Sequence, residues 1–88
     1  MIRRRLIITG RVQGVLFVAE VRTLGVRGWV RNRLDGSVEA VVEGRPDTIA
    51  AAIARAQRGS PPSRVADVAV SDNAPDESLA DFTKRPTA

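Results

Sequence analysis

The chain has 88 residues, and we expect them to form a single domain over residues 1–88 around one hydrophobic core. It contains no cysteine and no histidine, which excludes disulfides, thiolate metal sites and histidine acid–base chemistry. The net charge is +4, and every basic residue except Lys84 is an arginine. Any chemistry must therefore depend on Arg, Asn, carboxylates, hydroxyls or backbone groups.

The composition argues against two classes of partner. A basic domain attracts phosphate, but the arginines are dispersed except for Arg3–Arg5, and the three aromatic residues are not interleaved with them. We therefore do not expect nucleic acid binding. The first apolar run is too short for a signal peptide, and no segment is long enough to span a membrane. We expect a cytoplasmic protein without a membrane partner.

The first elements along the chain are a strand and a short helix. Leu6–Val12 is rich in β-formers and predicts a strand followed by a loop. Phe17, Val21 and Leu24 recur at i, i+4 and i+7, which predicts a helix with these residues in the core, and Gly25 is placed to end it.

A β-hairpin is predicted next. The segments Arg27–Arg33 and Ser37–Glu43 flank Leu34–Gly36, and both alternate between charged or aromatic and small or apolar positions. If the charged faces coincide, Arg31 and Arg33 lie near Glu39 and Glu43. The same choice places Asn32 on the apolar face beside Val30, where an unpartnered amide costs about 1–3 kcal/mol.

The second half predicts a helix and two further strands. Pro46–Arg58 has Pro at its start and a stripe of apolar residues, and Gly59–Pro62 stops it. Three valines at positions 65, 68 and 70 mark a fourth strand, and Phe82–Lys84 supplies a short final one. The order β-α-β-β-α-β predicts a ferredoxin-like α+β sandwich, an antiparallel sheet with two helices on one face.

Two segments resemble the signatures of the acylphosphatase family. Thr9–Val15, TGRVQGV, is similar to the opening of that family's phosphate loop, and Leu24–Asn32, LGVRGWVRN, is similar to its second signature. The resemblance implies a metal-independent, cofactor-free hydrolase that cleaves small acyl phosphates into carboxylate and phosphate. It assigns water positioning to Asn32 and phosphate binding to backbone amides at Gln13, Gly14, Val15 and Leu16. A purely structural alternative, in which Asn32 caps a neighbouring loop, stays open.

The chain departs from the family pattern directly after Val15. The family continues with Gly-Phe-Arg, whose Arg holds phosphate oxygens, whereas this chain continues with Leu16, Phe17 and Val18. Aligned from the left, the Arg position holds Val18; aligned from the right, about four residues are missing before Leu16. We prefer the deletion, because residues 16–23 then match the helix body. In both alignments the Arg is absent.

The departure leads to three expectations. Activity should be weakened or lost, because four residues fewer shorten the reach of the loop by up to roughly 13 Å. Neither Arg22, expected on a solvated face, nor Arg11, on the strand, should replace the missing cation. A shortened connection also favours exchange of the first strand between two chains, giving a domain-swapped homodimer. The alternatives to a weak enzyme are a non-catalytic module that binds a protein or an anion, and a loop-deleted, strand-exchanging variant of the same fold.

Overall fold

The secondary structure follows the predicted order and includes the predicted short final strand. The strands are β1 (Ile2–Arg11), β2 (Arg27–Asn32), β3 (Val38–Gly44), β4 (Arg64–Ser71) and β5 (Thr83–Lys84), and the helices are α1 (Gly14–Arg22) and α2 (Pro46–Arg58). The computed structural model describes residues 1–12, 14–58 and 64–88, with the backbone alone at residues 15 and 16. The predicted stop at Gly59–Pro62 lies outside the described residues.

The strands form one sheet in the order β4-β1-β3-β2-β5. The central strand β1 pairs antiparallel with β3 and β4, and β2 pairs antiparallel with β3. The short β5 runs parallel to β2, with Trp29 opposite Thr83, so the sheet is antiparallel except at this edge. The predicted ferredoxin-like α+β sandwich is confirmed.

The core lies between the sheet and the two helices, on the face that the hairpin alternation predicted. Val30 and Ala40 are fully buried there, while their neighbour Trp29 belongs to the opposite face. Phe17 of α1 packs edge-on against Phe82, with ring centroids 5.8 Å apart. The prediction that Phe17 is a core residue is therefore confirmed. Besides Phe17, the helices contribute the buried side chains Val18, Val21, Ile49, Ala52 and Ala56 to this core.

On the outer face of the sheet, one carboxylate joins two strands that flank β3. Glu39, 4% exposed, accepts hydrogen bonds from Arg5 at 2.6 Å and from Arg31 at 2.7 Å. Burial acts to raise the pKa of Glu39, but the hydrogen bonds from these two guanidinium groups outweigh it and hold the pKa below its ordinary value. The predicted pairing of Arg31 with Glu39 is confirmed.

The prediction also placed Arg33 near Glu39 and Glu43, and this part is wrong. The hairpin register sets Arg27 opposite Glu43, and Glu43 instead accepts a hydrogen bond from Arg3 at 2.7 Å. Arg33 lies one residue beyond β2, and its guanidinium is 3.9 Å from the carboxylate of Asp35. The hairpin connection, rather than the strand pattern, therefore decides the surroundings of Arg33.

A glycine at the end of β1 redirects the chain toward the first connection. The register between β1 and β4 shifts between Thr9 and Gly10, and Gly10 has a φ of 118°. A Cβ at Gly10 would overlap the Arg64 carbonyl oxygen. Glycine is therefore required at this bulge. The bulge fixes the position at which β1 ends and the chain continues toward α1.

We predict that Glu39→Gln removes part of the acid sensitivity of folding. A carboxylate with a depressed pKa stabilises the fold above its unfolded pKa, and this contribution is lost as pH falls through the folded pKa. Wild type should thus lose stability as pH falls below the ordinary value of 4.5, while the variant is about 1–3 kcal/mol less stable at pH 7 with a shallower acid slope. Urea unfolding between pH 3 and pH 7 measures both, and parallel curves would contradict the assignment.

Candidate active site

The last residue of β2 meets the first residue of α1. Asn32 lies half-buried on the inner face of the sheet, and its Oδ1 accepts a hydrogen bond of 2.8 Å from the Gly14 N–H. This bond supplies the partner that the sequence required for an amide on the apolar face. The structural alternative, in which Asn32 caps a loop, predicts the same contact, so the contact alone does not choose between the two roles.

Gly14 allows this close approach because it has no side chain. A Cβ at Gly14 would lie 3.3 Å from Asn32 Oδ1 and 3.4 Å from Val30 Cγ2. These separations are tight, so the helix end would have to move or the Asn32 side chain would have to turn. The glycine therefore sets the distance between α1 and the amide.

Three of the four predicted phosphate-binding residues lie at the N-terminus of α1 rather than in an extended loop. Gly14, Val15 and Leu16 are the first three residues of the helix, and Gln13 lies outside the described residues. The first backbone N–H groups of a helix have no partner within it, and the helix dipole makes this end positive. No acidic residue lies in the first turn of α1 to compensate that charge. The arrangement suits a small anion.

Neither Arg22 nor Val18 presents a cation to the start of α1. Arg22 lies at the opposite end of α1, about 12 Å along the axis from Gly14, and donates to the Phe82 carbonyl at 3.3 Å. Val18, at 7% exposure, points into the core, so that position cannot present a cation to an anion at the helix end. Arg11 is exposed and lies opposite Arg64 on β4.

One contact of the candidate site has no signal in the sequence. The Asn32 carbonyl accepts a hydrogen bond of 3.1 Å from the Ala88 N–H. A main-chain bond of this kind depends on where two segments lie and not on residue type, so no motif could have indicated it.

Two further classes of site find no support in the described ranges. No group of three or more acidic side chains that could hold a metal ion occurs among the described residues. No helix in that part of the chain is long and apolar enough to cross a bilayer.

The fold and the site together define a class: a ferredoxin-like sandwich whose candidate site suits a small anion. The acylphosphatase family model matches residues 4–84. An acylphosphatase of Rhizorhabdus wittichii is 49% identical over 90 residues, covering 98% of this chain and 90% of its own length. The crystal structure of acylphosphatase from Bacillus subtilis superposes with a TM-score of 0.84 at 35% identity, over 97% of this chain and 99% of its own. The chain belongs to the acylphosphatase family.

The lengths of these alignments bear on the missing residues. The Rhizorhabdus match spans 90 positions, yet 98% of an 88-residue chain is about 86 residues, so about four positions have no counterpart here. An Anaeromyxobacter acylphosphatase, 47% identical over 87 residues, covers 94% of both chains, and about 83 residues of this chain take part. The difference is again about four, the size of the predicted deletion. Its position after Val15 stays a prediction.

We predict that Gly14→Ala disturbs the site more than the fold. The added methyl group meets Asn32 Oδ1 and Val30 at 3.3–3.4 Å, so the Gly14–Asn32 hydrogen bond should lengthen, while alanine favours the helix by up to about 1 kcal/mol. The Asn32 side-chain amide resonances should shift in an NMR spectrum, and the urea midpoint should change little. Unchanged resonances would show that the helix end adapts without moving the amide.

Proposed function

We propose that this chain is an acylphosphatase-type hydrolase of small acyl phosphates in which Asn32 positions the attacking water and the N-terminus of α1 binds the phosphoryl group. The observation that carries the proposal is the position of Asn32 in a chain of the acylphosphatase family: its Oδ1 lies 2.8 Å from Gly14 N, at the positive end of α1. With Oδ1 engaged there, the Nδ2 group is the part of the side chain left to contact water or substrate.

The proposed reaction needs no residue that the chain lacks. Water attacks phosphorus, the bond from phosphorus to the acyl oxygen breaks, the carboxylate leaves with the electron pair, and the proton of the water passes to phosphate. A carboxylate is a stable leaving group and needs no general acid, which is compatible with the absence of histidine and cysteine. Catalysis then depends on positioning and on electrostatic stabilisation.

The activity we propose is weak, because residues 15–18, where the family has its loop arginine, contain no arginine. In other enzymes the loss of one donor to the developing charge costs roughly 10²–10³ in kcat. The phosphate-binding role of Gln13, Val15 and Leu16 belongs to the same proposal, as do the single domain and the cytoplasmic location, whereas the predicted Gly14 N–H already donates to Asn32 Oδ1. Inorganic phosphate, the product, should bind at the same helix end.

A second candidate function is a non-catalytic module that binds an anion. The missing arginine favours it, because an uncompensated helix N-terminus attracts an anion even where turnover is lost. The two functions differ in whether Asn32 matters for turnover or for binding alone.

We predict that wild type hydrolyses benzoyl phosphate above background and that Asn32→Ala lowers kcat roughly 100-fold, because a displaced water loses its near-attack position. Steady-state hydrolysis measures the first effect, and phosphate titration of both proteins by NMR provides the control. Equal rates in wild type and variant would contradict a catalytic role for Asn32. Phosphate binding without turnover in either protein would favour the anion-binding module.

We predict that restoring the missing segment restores activity. Insertion of Gly-Phe-Arg-Ala between Val15 and Leu16 should raise kcat/KM roughly 10²–10³-fold, because it supplies both loop length and a cation for the developing charge. The matched control is Gly-Phe-Ala-Ala, which restores the length alone. An insertion with Arg that is no better than its control would show that the loop is not the cause of weak activity.

The same pair of insertions tests the proposed domain-swapped homodimer. β1 ends at Arg11 and α1 begins at Gly14, and a longer connection between them removes the reason to exchange β1 between chains. Wild type refolded at high concentration should therefore show a dimer fraction by size-exclusion chromatography, and both insertions should reduce it. A monomeric wild type would refute the swap.

A further inference from the structure

We propose that the segment 85–88 is a positioning element for Asn32, holding the main chain of that residue so that its side chain stays against α1. The inference rests on the proposed function of Asn32 and adds a partner that none of the sequence signatures contains. It follows from the way in which the end of β2 is hydrogen-bonded on its two sides.

On the side of β3, the residue after Asn32 is hydrogen-bonded, but the carbonyl of Asn32 itself is not. The Arg33 N–H donates to the Ser37 carbonyl at 2.8 Å, toward the β3 side. In a strand, alternate residues direct their peptide groups to opposite neighbours. The Asn32 carbonyl therefore faces away from β3, although Asn32 lies opposite Val38 in the register.

On the other side, the segment 85–88 supplies the missing bonds. The Ala88 N–H donates to the Asn32 carbonyl at 3.1 Å, and the Ala88 carbonyl accepts from the Leu34 N–H at 2.9 Å. Ala88 is thus hydrogen-bonded to the residues on both sides of Arg33, in the pattern of a parallel strand pair. Without it, the peptide groups at the end of β2 would have only water, and strand ends of that kind open locally.

The segment is itself anchored upstream of Ala88. The Arg85 N–H donates to the Val30 carbonyl at 2.8 Å, and the Arg85 guanidinium lies 4.5 Å from the centre of the Trp29 ring. The ring nitrogen of Trp29 in turn donates to Glu77 at 2.7 Å. A cation over an aromatic face is favourable, so the segment is fixed at Arg85 and reaches Asn32 at Ala88.

The test uses Ala88→Pro, which removes the N–H that Asn32 accepts, with Thr87→Pro as the matched control. Among the described residues, none accepts a hydrogen bond from the Thr87 N–H, so the control introduces a proline without removing such a bond. We expect Ala88→Pro to lower kcat for benzoyl phosphate roughly five- to tenfold with little change in KM, the size of effect expected for losing one hydrogen bond. Thr87→Pro should stay within about twofold of wild type.

A double-mutant cycle separates positioning from general stability. In an Asn32→Ala background Ala88→Pro should cause no further loss, because the segment acts through the side chain that has been removed. An undiminished loss in that background, an equal loss in Thr87→Pro, or a lowered urea midpoint with kcat unchanged would each overturn the proposal.

Hydrogen exchange distinguishes failure of this inference from failure of the proposed function. The Leu34 amide should exchange at least about tenfold faster in Ala88→Pro than in Thr87→Pro. If wild type shows no turnover, the proposed function fails by that result alone, and the Leu34 amide still decides whether the segment holds the strand end. Equal exchange of the Leu34 amide in the two variants would show that Ala88 does not hold the end of β2.

Discussion

The hydrogen bond between Gly14 N–H and Asn32 Oδ1 is the contact on which the candidate site depends. It joins the first residue of α1 to the last residue of β2, which are 18 positions apart in the chain. It also resolves the cost of a polar amide on the apolar face of the sheet, since the amide oxygen satisfies one of the unpaired N–H groups of the helix. This one hydrogen bond therefore stabilises the fold and positions Asn32 for the proposed chemistry, and it gives the amide oxygen a partner.

Two constraints bring these atoms together. The hairpin register opposes Asn32 to Val38, which is fully buried in the core, and so fixes the face on which the amide lies. The absence of a Cβ at Gly14 then lets the helix approach to hydrogen-bonding distance. On the opposite face, the Glu39 carboxylate of β3 accepts hydrogen bonds from β1 and β2. These bonds stabilise the part of the sheet that carries Asn32.

Much of this arrangement could be predicted from the sequence, and the parts that could not have physical reasons. The two-residue period of β2 placed Asn32 on the inner face correctly, because alternation across a sheet is strict. The sequence matched the helix body to residues 16–23, whereas α1 begins at Gly14, because the apolar stripe begins at Phe17 and glycine gives little helix signal. The position of Arg33 follows from the hairpin connection, and that of Ala88 from main-chain bonds that leave no pattern in residue types.

The central position of β1 has a consequence for how two chains could ever exchange it. Pairing with β3 on one side and β4 on the other means that β1 leaves the sheet only if both ladders break at once. Breaking both ladders is close to global unfolding. Folded monomers and strand-exchanged dimers would therefore interconvert no faster than the protein unfolds, at any concentration. The ratio of monomer to dimer would then depend on the concentration at which the chains last refolded. Two samples of the same sequence in the same buffer would differ in this ratio if they had been refolded at different concentrations.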